Sequence, residues 1–292
     1  MHKINWFYRI YSGAVNSPYK LLKNIFVIYV TGWAIIEPIL AIMPSASNYL
    51  VGNSRFIGLL IVSLIGGLIG TSRLDRIAFR YRNSDISILF GDLFHQTGIK
   101  SIPVSQFMYE TEVIPSSLQS FLIKRYLAGE EGGKGLNLYA SELDNALRGK
   151  HYEIVERIVE RGCEKFFPVG TSALLKYKND LFLITATTVT ELEGEIPDTN
   201  CSVTNLWIAL TEMWRYARVH ARGKDMNIPL TGSGVTGINL EPIRILELNM
   251  LVLINSLEEG GKITTGNINL VLHYSYFDQI DLRDLQKMWS KN

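Results

Sequence analysis

Residues 226–250 read MNIPLTGSGVTGINLEPIRILELNM. The apolar run Met226–Leu230 has the length and composition of a strand. It runs into Thr231-Gly232-Ser233-Gly234-Val235-Thr236-Gly237, and a helical apolar pattern follows, with Pro242 suited to its first turn. In an α/β sheet, ligands collect at the carboxyl ends of strands. Glycines there let backbone N–H groups approach phosphate oxygens closely. The turn therefore reads either as an anion cradle or as a plain tight turn packing a helix on a strand. It is not a Walker A loop, because no Gly-Lys-Ser/Thr follows. Gly232, Gly234 and Gly237 fit GxGxxG spacing, but the turn comes late in the domain, with no acidic residue after a following strand, so it is not a dinucleotide fingerprint.

Outward from this stretch, short β-type runs alternate with helical patterns. Strands are expected at Ile86–Phe90, Ser101–Phe107, Phe166–Leu175, Leu181–Thr188, Met226–Leu230 and Ile268–His273. Helices are expected at Ser117–Tyr126, Tyr152–Arg161, Thr204–Ala221, Pro242–Leu257 and Leu282–Trp289, and Gly129–Gly135 reads as a mobile loop. The alternation implies an α/β fold, a mixed sheet with helices on both faces. Two further features flank the expected sheet. The run Ile86–Phe94 ends its strand in Gly91-Asp92-Leu93, where a carboxylate can accept a hydrogen bond from an adenine amino group or simply cap a turn. Ile114–Gln119 looks like a capped helix start, and the N–H groups behind Ser116 and Ser117 can take an anion or only the cap.

The first seventy residues are of another kind. From Ile25 to Met43 the only charge is Glu37, and these nineteen residues would span about 28 Å as a helix. That approaches the thickness of a bilayer core. Phe56–Thr71 is uncharged but only sixteen residues long. Local bilayer thinning and snorkelling of Arg55 and Arg73 would close the gap. A cleaved signal sequence fits poorly, since over twenty residues precede the apolar run. Lys3, Arg9, Lys20 and Lys23 precede the first segment, Arg73, Arg76, Arg80 and Arg82 follow the second, and residues 44–55 carry only Arg55. Basic flanks stay cytoplasmic, so both termini are expected inside. The organisation expected is a cytoplasmic segment at 1–21, a two-span transmembrane hairpin at 22–72, a linker at 73–83 and a soluble domain at 84–292. Glu37 at membrane depth either faces water or a partner, or sits solvated near the outer interface. Gly66, Gly67 and Gly70 permit close helix approach, compatible with self-association.

Composition adds exclusions. With 29 basic and 28 acidic residues, net charge gives no support for nucleic-acid binding. The two cysteines, Cys163 and Cys201, have neither metal-site spacing nor the number for a disulfide framework, so neither a metal nor another cofactor is expected.

The Gly91-Asp92-Leu93 corner, the strand-plus-turn Phe167–Thr171 and the Gly232–Gly237 turn, in this order, resemble a macro domain over residues 84–292. The resemblance implies that Asp92 holds adenine and that Gly232, Ser233, Gly234, Val235, Thr236 and Gly237 cradle a diphosphate. One departure stands out: the family's Asn-Ala-Ala-Asn segment and first Gly-rich loop are absent after the second strand, where the chain reads Val104-Ser105-Gln106-Phe107-Met108-Tyr109-Glu110-Thr111. Loss of that Asn weakens the case for a hydrolase, while nucleotide binding survives it. A two-span anchor joined to a divergent macro domain resembles the ThsA effectors of type II Thoeris antiphage systems. That resemblance implies an ADP-ribose-derived signal, made by a TIR-domain partner, which drives oligomerisation and membrane damage at the bacterial cell membrane.

Three functions compete: a non-enzymatic signal-gated membrane effector, a membrane-tethered hydrolase of ADP-ribose adducts or NAD, and a structural anchor. A hydrolase needs a positioned base. His95 and Glu110 are the candidates near the inferred site, and neither forms a recognisable motif. Turnover separates the first two functions, and absence of nucleotide binding would leave the third.

Overall fold

The computed structural model describes residues 4–42, 54–109, 115–128, 134–156, 163–191, 198–234 and 237–289. The chain divides into two units: Met1–Asp75 with Asp281–Met288, and Arg76–Ile280 with the residues from Trp289.

The first unit is helical. α1 (Trp6–Asn16) is capped by Asn5, whose side chain accepts from the Phe7 backbone N–H at 3.2 Å. Ser17 separates it from α2 (Pro18–Ile42), and α3 is Ser54–Thr71. Both α2 and α3 are long and apolar enough to cross a membrane. They pack against each other through small residues. A Cβ at Gly66 would come within 2.8 Å of Ile28 Cδ1, one at Gly70 within 3.2 Å of Asn24 Nδ2, and one at Gly67 would run into Ile25. The close helix approach that these glycines were expected to permit is made here against α2 of the same hairpin, with Gly67 buried and Gly70 still exposed. Glu37 is exposed on α2, five residues before its end. α8 (Leu282–Trp289) joins this unit by polar bonds. Arg283 Nη1 donates to Thr71 O at 2.5 Å, and Lys20 Nζ donates to Asp284 Oδ1 at 3.0 Å.

The second unit is built on one mixed sheet. Its strands are β1 (Arg76–Tyr81), β2 (Ser84–Phe90), β3 (Ile99–Ser105), β6 (Ser172–Tyr177), β7 (Asp180–Glu191), β8 (Asp198–Asn200), β9 (Met226–Pro229) and β10 (Ile268–Leu272). The order is β1-β2-β10-β9-β3-β7-β6, with β8 paired to β7. The central strands β2, β10, β9, β3 and β7 are parallel, and β1, β6 and β8 are antiparallel to their neighbours. β4 (Glu153–Glu156) and β5 (Cys163–Phe166) form a separate antiparallel pair.

Helices cover both faces. Ile102 and Val104 of β3 share a core with Leu122 and Ile123 of α4 (Leu118–Ala128) and with Tyr139 and Leu143 of α5 (Lys134–Ala146). Ser101, on the opposite face of β3, donates to Met213 Sδ of α6 (Val203–His220) at 3.1 Å. α6 packs on α7 (Pro242–Gly260). β9 and β10 are buried throughout, as central strands covered on two sides must be. Their one polar pair is satisfied internally: Asn269 Nδ2 donates to Asn227 Oδ1 at 2.9 Å, and Asn227 Nδ2 donates to Thr97 O at 2.6 Å.

Four expectations are corrected. The stretch read as a linker holds β1, whose Ile77 is buried and whose Arg76 and Arg80 point away. The helix expected at Tyr152–Arg161 is strand β4 as far as Glu156, and residues 157–162 lie outside the described ones. The strand expected at Phe166–Leu175 is broken by the Pro168–Thr171 turn, where Gly170 takes φ +88 and Thr171 N donates to Pro168 O at 3.0 Å. Of the loop expected at 129–135, residues 129–133 lie outside the described ones, while Lys134 and Gly135 open α5.

Candidate functional site

The carboxyl ends of β2, β10, β9, β3 and β7 surround a cleft of about 630 Å³. This is where the crossover geometry of an α/β sheet leaves a crevice. Gly91, Asp92 and Leu93 line one side, Ser116 and Ser117 another, and Gly232, Ser233, Gly234 and Gly237 a third. Three segments far apart in sequence are thus brought to one cavity. Val235 and Thr236 lie outside the described residues, as does Glu110.

The Asp92 corner is rigidly built. Gly91 N donates to Leu272 O at 2.8 Å, tying the end of β2 to the end of β10. Asp92 then caps a short 3-10 turn, Leu93–His95, its Oδ1 accepting from Phe94 N at 2.8 Å. Its Oδ2 lies 2.8 Å from His95 Nδ1. Each carboxylate oxygen has two acceptor positions, so these contacts leave capacity toward the cleft. Both readings made of this residue from sequence, turn cap and acceptor, are therefore compatible.

The glycine turn divides by function. Gly232 takes φ +95, where a Cβ would also sit 2.8 Å from Leu206 Cδ2. A Cβ on Gly237 would collide with Gly232 O. These two glycines are required by the turn itself. Gly234 is different: it is not among the positive-φ residues, and a Cβ there meets nothing within 4 Å. Its missing side chain relieves neither the backbone nor a clash, and the residue lines the cleft. The turn is pinned by Ile238 N donating to Gly232 O at 2.8 Å, Ser233 Oγ donating to Leu230 O at 2.6 Å, and Asn249 Nδ2 of α7 donating to Thr231 O at 2.9 Å. α7 begins only at Pro242, so the segment from Ile238 to Glu241 separates the turn from its helix.

Ser117 does cap α4, its Oγ accepting from Ser120 N at 3.1 Å. Ser116 through Gln119 face the cleft, so the positive end of the α4 dipole is directed there. No lysine or arginine lines the cleft among the described residues. Anion binding there would fall to backbone N–H groups, hydroxyls and the α4 terminus.

Sequence reading missed several lining residues. Phe94 and Phe121 pack as a tilted pair at 6.1 Å and supply an aromatic wall. His273 caps the turn Tyr274–Tyr276, accepting from Ser275 N at its Nδ1, and Tyr276 OH donates to Ser233 O at 3.3 Å. Only the strand end at His273 was legible, since the residues beyond it carry no motif. Cys201, expected to take part in neither a metal site nor a disulfide framework, is buried in the cleft wall. Burial pushes its thiol up to about 11, so it stays protonated and donates to Thr187 O at 3.4 Å.

The fold and its cleft define the class: the second unit is a macro domain, an α/β fold with a mixed sheet. The match is carried by a mutant of the Oceanobacillus iheyensis macrodomain, at TM-score 0.50 and 14% identity over 76% of this chain and 97% of that one. A second mutant of the same macrodomain aligns at 0.49 and 14% over 75% and 100%, and the structure of that macrodomain with ADP aligns at 0.48 and 14% over 74% and 98%. The family model described as Thoeris protein ThsA, Macro domain matches residues 86–273, and the chain belongs to that family. A search of curated protein sequences finds no match.

Proposed function

We propose that this chain is a membrane-anchored antiphage effector whose cleft binds an ADP-ribose-derived nucleotide made by a TIR-domain partner. The observation that carries the reading is the junction of Gly91-Asp92-Leu93, the α4 N-terminus and the Gly232–Gly237 turn around one cavity, in a chain that also bears two helices apolar enough to cross a membrane. In this reading Asp92 accepts the adenine amino group. Phe94 and Phe121 flank the base, and the turn and α4 terminus take the diphosphate. The chain acts as a receptor without turnover of its own.

Signal binding would alter the membrane part only if its affinity differs between resting and assembled states. Two covalent features support such coupling. Asp75 ends the first unit and Arg76 begins β1, with nothing between them. Tyr276, on the cleft wall, lies five residues before Asp281, which re-enters the first unit. The outcome proposed is assembly, depolarisation and growth arrest. The test is to supply ADP-ribose derivatives to the reconstituted protein, or co-express a TIR-domain partner, while recording membrane potential and oligomer size. If the protein binds nucleotide and neither quantity changes, the effector role fails. If it turns the nucleotide over, a tethered hydrolase replaces it.

A further inference from the structure

α1 is amphipathic in the opposite sense to a helix on a soluble protein. Its polar side faces inward: Ser12 and Gly13 are buried, Arg9 Nε donates to Arg73 O at 2.9 Å, and Arg9 Nη1 lies 3.2 Å from Asp75 Oδ1. The Arg73 backbone N–H returns a bond to Arg9 O at 3.1 Å, and a Cβ on Gly13 would run into Thr71 O. Its outward side carries Phe7, Tyr11 and Val15 at successive four-residue steps, with Trp6 beside them, exposed by 71%, 63%, 56% and 52%. A helix at a water-facing surface shows the reverse arrangement.

We infer that α1 is a third membrane-contacting element, lying in the headgroup region of the bilayer with Phe7, Tyr11 and Val15 turned into the lipid. The inference rests on reading α2 and α3 as spans, and depth is what favours lipid over protein as the occupant. The polar side of α1 is seated on residues 71–75, where α3 ends, and its own C-terminus meets the first residue of α2 through Ser17 alone. α1 is therefore held at the level where both spans leave the hydrocarbon. Aromatic side chains that are apolar in body and polar at the tip concentrate at that level. A short helix with such a face lies in the plane of the interface. α2, which follows α1 with only Ser17 between them, likewise opens on exposed apolar residues, Tyr19 and Leu22.

The experiment uses the full chain in phosphatidylcholine–phosphatidylglycerol vesicles, with single cysteines at positions 7, 11, 15 and 27 in a background carrying C163S and C201A. Each cysteine carries an environment-sensitive fluorophore, and each variant is first shown to melt like its parent. Nitroxides on lipid headgroups or deep in the acyl chains, and aqueous iodide, serve as quenchers. Positions 7, 11 and 15 are expected to be quenched several-fold more by the shallow nitroxide than by iodide, and position 27 most by the deep nitroxide. Free access of iodide to 7, 11 and 15 with 27 still lipid-quenched overturns the inference and leaves the hairpin reading standing. Shielding of 7, 11 and 15 from both lipid and iodide also overturns it, in favour of a protein occupant. Iodide access at 27 removes the hairpin reading on which it rests.

Discussion

The Asp92 carboxylate faces the His95 imidazole across 2.8 Å, Oδ2 to Nδ1, while its other oxygen holds the Phe94 N–H. The acceptor proposed for adenine is therefore a fixed group and not a mobile surface acid. Asp92→Ala removes both the cap and the ligand acceptor. It is expected to weaken nucleotide binding by about 1.5–3 kcal/mol, the range for a hydrogen bond to a charged group. Asp92→Asn keeps an oxygen for Phe94 N but puts an amide donor opposite, so it should melt like the parent and still bind weakly. Unchanged calorimetric binding in a folded Asp92→Asn protein removes the adenine role.

The glycine turn offers a sharper separation of structure from binding. Gly232→Val places a β-branched residue at φ +95 against Leu206, and should cost roughly 1–3 kcal/mol of stability. Gly234→Val meets open space, so its melting temperature should stay at the parent value while nucleotide binding falls at least tenfold. Chemical denaturation and calorimetry on the pair read the two effects. Normal binding by Gly234→Val would show that the turn only packs.

Within the helical unit, Asp281 is an acid with a predictable pH signature. Burial pushes its carboxyl up, but hydrogen bonds and charge from Arg283, with Lys20 beyond, outweigh burial and hold it below the usual carboxylate range. A depressed folded pKa means that its contribution is complete above the unfolded value, about 3.9, and is lost as pH falls through the folded one. Asp281→Asn should therefore destabilise at neutral pH and converge on the parent as the medium becomes acidic. Parallel melting curves across that range would contradict the assignment.

The basic flanks around Lys20, Lys23, Arg73 and Arg76 are the ground for proposing that both termini lie in the cytoplasm. In a chain carrying C163S and C201A, a cysteine at position 53 should react with an impermeant reagent in intact cells and one at 292 should not. The reverse pattern inverts the orientation.

Much of the sheet was legible because its central strands are buried on both faces and read as short apolar runs, as in INLVL at 268–272. The edges were not. In β1, RIAFRY buries one face only, and its arginines look like the charged flank of a membrane span. In β4 the Ile154 side chain is 61% exposed, so the apolar pairs of EIVERIVERG suggested a helix that the chain does not form at 153–156. In α5 only Tyr139 and Leu143, one turn apart, are fully buried among the apolar residues, with Leu138 and Ala146 packed beside them and Leu136 exposed, so its buried stripe is too thin to stand out. The three segments at the cleft were visible as turn chemistry: Gly91-Asp92, Ser116-Ser117 and Gly232–Gly237. Phe121, Cys201, His273 and Tyr276 were not, since only the meeting of distant strand ends gives them a common place.

The most direct test is a calorimetric titration of the full-length protein in lipid nanodiscs with ADP-ribose and with cyclic and amino-acid-conjugated ADP-ribose. The account predicts saturable binding of at least one of these, one per chain, weakened at least tenfold in Asp92→Asn and Gly234→Val proteins that melt normally. A folded wild-type protein that binds none of them up to roughly millimolar concentration, weaker than about −4 kcal/mol, would contradict it.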